Sequence, residues 1–161
     1  MGAGVEAVYV AGEARGPMSA EAEAQAIPGV GLAGDRYALG TGSFSRWPGP
    51  GREVTLIEAE VVADCVARFG LDLTAGRHRR NVVTRGVRLG ELMHRTFRVG
   101  TALLRGDRPA DPCGHLDRLI GPGVMEALRG RGGLRATVLE GGIIRPGDPI
   151  EVLSAGPGEA P

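Results

Sequence analysis

Cys113 sits in the run Arg108-Pro109-Ala110-Asp111-Pro112-Cys113-Gly114-His115-Leu116, between a proline and a glycine where a strand is expected to give way to a helix. A cysteine at a helix N-terminus meets unsatisfied backbone N–H groups and the positive end of the dipole, and both favour the thiolate. A thiolate is a nucleophile and a soft metal ligand. His115, two residues on, could add positive charge or serve as an acid. The plainer alternative is that Cys113 packs as a small hydrophobe. The second cysteine, Cys65, falls on an apolar helical stripe and reads as core.

A second constellation is Arg77-His78-Arg79-Arg80-Asn81, four cationic or potentially cationic side chains leading into a strand. Arginine presents a planar fork suited to phosphate or carboxylate oxygens, and a neighbouring Asn both donates and accepts. Such a set could bind one anionic small molecule. Taken by itself, the run reads more simply as a solvated basic turn balanced by surface carboxylates. Gly34-Asp35-Arg36 could lend backbone donors and a further guanidinium, with Asp35 holding Arg36 in place.

Some chemistry is excluded within this chain. No Cys-x-x-Cys and no His-Glu-x-x-His occurs, so a zinc site built from protein alone is not expected. All 19 basic residues are arginine and there is no lysine. A lysine-free chain forms no internal aldimine with pyridoxal phosphate and has no P-loop lysine.

The elements that must position these residues are short. Val5 to Val10 alternates like a half-buried strand, and Glu53 to Ile57 reads as another. Glu58 to Phe69 reads as a helix with Val62, Cys65, Val66 and Phe69 on one face and Gly70 as its stop. Further strands are expected at Arg80 to Thr84, Phe97 to Gly100, Ala102 to Leu104, Leu134 to Leu139 and Ile150 to Leu153. Short helices are expected near Leu89 to His94, His115 to Ile120 and Val124 to Leu128. Gly40 to Gly51, around Trp47, reads as an exposed loop, and residues 155–161 as a disordered tail.

With 28 glycines and 11 prolines among 161 residues, the chain has many corners and few long elements. One domain over residues 1–154, mainly β with a few short helices and closed as a twisted barrel, is the expected architecture; an open α+β sheet is the runner-up. The 19 basic and 19 acidic side chains cancel, leaving no field to draw nucleic acid or an anionic membrane. No apolar run approaches the roughly 20 residues of a spanning helix, nor does the start look like a signal peptide, so a cytoplasmic location is expected.

In order and spacing, four segments together resemble the MOSC family, named for the C-terminal domain of molybdenum cofactor sulfurases. They are Gly31-Leu32-Ala33-Gly34-Asp35-Arg36-Tyr37, Arg79-Arg80-Asn81-Val82-Val83-Thr84-Arg85-Gly86-Val87, Phe97-Arg98-Val99-Gly100 and Pro112-Cys113-Gly114-His115-Leu116. The resemblance runs from Val5 to about Leu153. It implies a β-barrel related to the barrel domain of pyruvate kinase, with Cys113 at its pocket.

Two roles for that cysteine follow from the resemblance. In one, Cys113 binds the molybdenum of a pyranopterin cofactor, Arg36, Arg79, Arg80 and Asn81 hold the cofactor, His115 assists, and N-hydroxylated compounds are reduced with electrons from a partner protein. In the other, Cys113 is a non-catalytic sulfur carrier whose persulfide comes from a pyridoxal-phosphate-dependent desulfurase. A binding module without chemistry is the third possibility. The cofactor reading employs both the cysteine and the arginines; the carrier reading needs Cys113 alone.

Overall fold

The computed structural model describes residues 2–13, 16–36, 38, 53–110, 116, 118 and 120–154. Cys113, His115, the Trp47 loop over 40–51 and the tail 155–161 lie outside the described residues. Of the helix expected over His115 to Ile120, the described residues Leu116, Arg118 and Ile120 are helical.

The strands are β1 (Gly4–Val10), β2 (Ser19–Ala20), β3 (Ala24–Ile27), β4 (Gly31–Leu32), β5 (Val54–Glu58), β6 (Val82–Arg85), β7 (Thr96–Val99), β8 (Ala102–Pro109), β9 (Leu134–Glu140), β10 (Gly142–Ile144) and β11 (Ile150–Ser154). Helix α1 (Ala59–Phe69) joins β5 to β6, a 3-10 turn covers Leu89–Leu92, and α2 (Val124–Ala127) precedes β9. Eight strands form one sheet in the order β11-β7-β8-β9-β5-β6-β1-β2, and β10-β3-β4 form a second.

The β-rich class expected from the glycine-punctuated sequence is what forms, but the large sheet is not closed into a barrel. Its ladder ends at β11. One isolated bridge, Gly4 to Pro149, links that flank to β1, with Val5 N donating to Asp148 O at 2.9 Å and Ile150 N to Ala3 O at 3.0 Å. Pro149 has no N–H to carry a ladder further.

β5 and β6 are parallel, with Leu56 opposite Val82 and Ile57 opposite Val83. Parallel neighbours need a crossover, and α1 supplies it. Because side chains alternate across a strand, the sheet feeds two cores. Val54, Leu56 and Val82 pack with Phe97 and Leu104 on one face, whereas Ile57 and Val83 pack with Val61, Val62, Cys65, Leu116 and Leu128 on the other.

Cys65 is fully buried, as its stripe implied. Burial pushes its thiol pKa up, since desolvation penalises the thiolate; Arg131 partly offsets this. Val66 and Phe69, expected on the buried face of α1, are 43% and 42% exposed. The stripe centres on Val61, Val62 and Cys65, which leaves those two on its margin. Gly70 ends the helix in the left-handed region at φ 64°, where a glycine carries no Cβ penalty.

Candidate functional site

The basic run before β6 is not a solvated turn. His78, Arg79, Arg80 and Asn81 are all buried, as are Asp35 and Arg36 from the β4 turn. Arg77 alone keeps the expected surface role, pairing with Asp72 at 3.0 Å. Burying this much charge is costly unless each group finds partners, and the hydrogen bonds show how that is met.

Asn81 lies at the entrance to β6, beside Thr55 of β5. Its backbone N donates to Thr55 O at 3.0 Å. Its Oδ1 accepts from Thr55 N at 3.1 Å and Thr55 Oγ1 at 3.2 Å, while Nδ2 donates to Tyr9 O at 3.1 Å and Asp35 Oδ1 at 3.2 Å. The four hydrogen-bonding positions of its amide are therefore filled by protein. Asn81 locks β1, β5, β6 and the β4 turn together.

Asp35 is the buried anion of the network. Its Oδ1 also accepts from Ala11 N and Arg36 Nη1, both at 3.1 Å. The expectation that Asp35 holds Arg36 is met by this ion pair. Arg36 Nη2 in turn donates to Arg79 O at 3.4 Å, so the β4 turn and the basic run meet.

Arg79 adopts φ 66°, the left-handed region that a residue with a Cβ seldom occupies. The turn that forces it is closed by Arg79 N donating to Gly76 O at 3.0 Å. Its guanidinium donates to Gly16 O. A left-handed, buried arginine is the kind of outlier that concentrates at functional sites.

Arg80 reaches farthest. Nε donates to Gly132 O at 2.9 Å and Nη2 to Ala110 O at 3.0 Å, and Ala110 N closes the joint by donating to Gly133 O at 2.9 Å. Gly133 is at φ 122°, and a Cβ there would collide with Leu56 O. The glycine is required because the backbone strands approach so closely around the guanidinium.

His78 completes the set in a neutral form. Its Nδ1 accepts from Arg80 N at 2.9 Å, which leaves the ring proton on Nε2. Burial, and then the Arg80 guanidinium, hold its pKa down at about 3. Its ring meets Tyr9 edge-on at 5.4 Å.

The structure thus brings Arg36, Arg79, Arg80 and Asn81 into one network, as a shared site requires. Sequence reading missed Thr55, the neutral role of His78, and the Ala110 and Gly132 carbonyls. The Gly132-Gly133 pair was a visible sign of a close backbone approach; Thr55, one residue in a strand, gave no signal. A separate cleft of about 520 Å³, lined by Val87, Glu91, Met93, Arg95 and Val152 among others, shares no residue with this network. No cluster of three or more potential metal ligands occurs among the described residues.

A family model described as the MOSC domain matches residues 45–151, about two thirds of the chain. The chain belongs to the MOSC domain family. The MOSC assignment covers the basic run, β6 and the Cys113 segment; the β4 turn with Asp35 and Arg36 lies before the matched span. Among solved structures, the MOSC chain is similar to the YUAD protein from Bacillus subtilis, with a TM-score of 0.79 and 19% identity over 96% of this chain and 97% of that one. It is also similar to YiiM from Geobacillus stearothermophilus (TM-score 0.72, 20% identity, 97% of this chain and 77% of that one). YiiM from Escherichia coli follows at TM-score 0.67 and 19% identity, over 94% and 70% of the two chains. At these identities the likeness shows the fold. No curated protein matches the sequence.

Proposed function

We propose that this MOSC domain works through the Cys113 thiolate as a ligand to the molybdenum of a pyranopterin cofactor. The observation that carries the reading is the Arg80 to Ala110 hydrogen bond. Ala110 precedes Cys113 by three residues, and three extended residues span at most about 11 Å. Arg80 therefore touches the strand end that leads to the cysteine, and a cation close to a thiol favours its thiolate form.

The donor types suit the group. A thiolate is a soft ligand for molybdenum, and guanidinium forks suit the phosphate of a phosphorylated pterin. Arg79 and Arg80, with Arg36 behind them, are the residues that would hold it. Asn81, its amide filled by protein, keeps Arg80 and Asp35 in register instead. When bound, the cofactor supplies a two-electron redox centre for reducing N-hydroxylated compounds, and the electrons come from a partner protein. His115 is assigned to proton delivery beside Cys113.

A second reading has one observation in its favour: the guanidinium hydrogen bonds described above end on protein carbonyls and Asp35. On that reading the arginines only shape the Cys113 segment, and Cys113 carries persulfide sulfur from a pyridoxal-phosphate-dependent desulfurase. Two measurements on protein from a cofactor-making host separate the two. Pterin fluorescence released on denaturation and oxidation is expected if the cofactor is bound. Its absence, together with a labile mass gain of about 32 Da on Cys113, would overturn that reading in favour of the carrier.

A further inference from the structure

The turn that delivers Arg79 and Arg80 to β6 is strained. Ala75, Gly76 and Arg79 lie at φ 55°, 81° and 66°, so three of five successive residues are left-handed and two of them carry a Cβ. Such a backbone persists only where its surroundings over-determine it. On the solvent side, Asp72 ties the turn down by accepting from Thr74 N and from Arg77 Nη1, both at 3.0 Å. On the inner side, Gly76 has no room for a Cβ, which would meet Met18 Cβ at 2.8 Å and Tyr9 Cδ1 at 3.0 Å. The Tyr9 ring continues from there to stand edge-on to His78.

His78 closes the inner side. It is buried, and its Nδ1 accepts the N–H of the residue two positions on, Arg80, at 2.9 Å. That is the local bond an Asn side chain makes in an Asx turn. The β5–β6 ladder supplies no acceptor for this N–H, because it starts one residue later, with Asn81 N donating to Thr55 O. The imidazole thus fixes the backbone from which the Arg80 guanidinium reaches Gly132 O and Ala110 O. Tyr9 steadies the ring from β1, where its own N donates to Asn81 O at 2.7 Å. A continuous path of contacts runs from Tyr9 through His78 and Arg80 to Ala110, three residues before Cys113.

We infer that His78 is a positioning residue for the Cys113 thiol, acting through its Nδ1 acceptor on Arg80 and through Arg80 on the strand end that leads to the cysteine. The role belongs to one ring nitrogen. Packing against Tyr9 needs only a side chain of similar size, whereas holding Arg80 needs an acceptor close to the backbone. That Cys113 is the working residue rests on the function proposed above; the effect of His78 on its reactivity does not require the cofactor.

The test compares His78→Asn, whose side-chain oxygen takes the place of Nδ1, with His78→Gln, whose oxygen lies one carbon farther out. The full chain is purified from a host that does not make the cofactor, and the rate of Cys113 alkylation by iodoacetamide is followed against pH. His78→Asn should keep the wild-type profile. His78→Gln should slow alkylation several-fold at neutral pH and displace the profile to higher pH. Hydrogen exchange at the Arg80 amide should quicken in His78→Gln and not in His78→Asn. Asp72→Ala, which loosens the same turn from its solvent side, should leave the profile unchanged, which separates positioning from a general loss of stability. Equal profiles in the wild type and His78→Gln, or an Asn variant as slow as the Gln variant, would overturn the inference. Because the free thiol is what reacts, a finding that the wild type takes up no molybdenum would sink the cofactor reading and change none of these outcomes.

Discussion

Arg80 donates to the Ala110 carbonyl at 3.0 Å and so ties the buried arginine network to the strand end that leads to Cys113. Arg80→Met removes the cation and this tether together. The rate of Cys113 alkylation by iodoacetamide should fall several-fold at neutral pH, with its pH profile displaced to higher pH. Cys65, fully buried, does not compete for reagent. An unchanged profile would mean that Arg80 does not act on the thiol.

Asp35 accepts from Ala11, Arg36 and Asn81 through one oxygen and is fully buried. Asp35→Ala leaves a buried guanidinium and two further donors without that acceptor. Removing one partner of a buried pair costs roughly 3–5 kcal/mol. Urea denaturation should show a loss of that order, against about 0–1 kcal/mol for Asp72→Ala at the exposed Arg77 pair.

His78 predicts an acid-sensitive fold. Its pKa is about 3 in the folded chain against 6.5 as the ordinary value, so between those limits the unfolded chain binds the extra proton. Stability from this group is complete above about pH 6.5. It falls as the pH drops, by up to about 1.4 kcal/mol per unit, until it levels off near pH 3. His78→Asn retains an acceptor without a titrating ring. Denaturation midpoints between pH 4 and 7 should fall more steeply in the wild type than in this variant.

Gly133 carries the backbone approach that seats Arg80. Gly133→Ala places a Cβ against Leu56 O at a φ of 122°, a strain of about 1–3 kcal/mol before any displacement of the strand. A lowered melting temperature and slowed Cys113 alkylation are expected together. A lowered melting temperature with normal alkylation would separate the fold from the site.

The elements were legible where periodicity was unambiguous. The helix over 59–69 and its Gly70 stop follow from the apolar spacing, and the seven expected strands fall within a few residues of their places, β8 running five residues past Leu104, whereas the short strands β2, β3, β4 and β10 were not expected from the sequence. The barrel was inferred from glycine abundance. Closure, however, depends on whether two distant strands continue one ladder, and Pro149 interrupts that ladder locally. Composition cannot encode such a contact.

The arginine run shows the same limit for the site. Five polar residues in succession look solvated, yet four are buried because Asp35, 46 positions before Asn81, and the Ala110 and Gly132 carbonyls supply their partners. Partners that distant leave no local trace. The family's motif segments did mark the residues that converge, since Gly34-Asp35-Arg36 and Arg79-Arg80-Asn81 meet in one network.

Molybdenum content tests the central claim most directly. Wild-type protein and Cys113→Ser, purified from a host that makes the cofactor, are compared by elemental mass spectrometry. About one molybdenum per chain in the wild type and none in the variant is the predicted result. Equal content in both proteins, or none in the wild type, would contradict Cys113 as the metal's ligand.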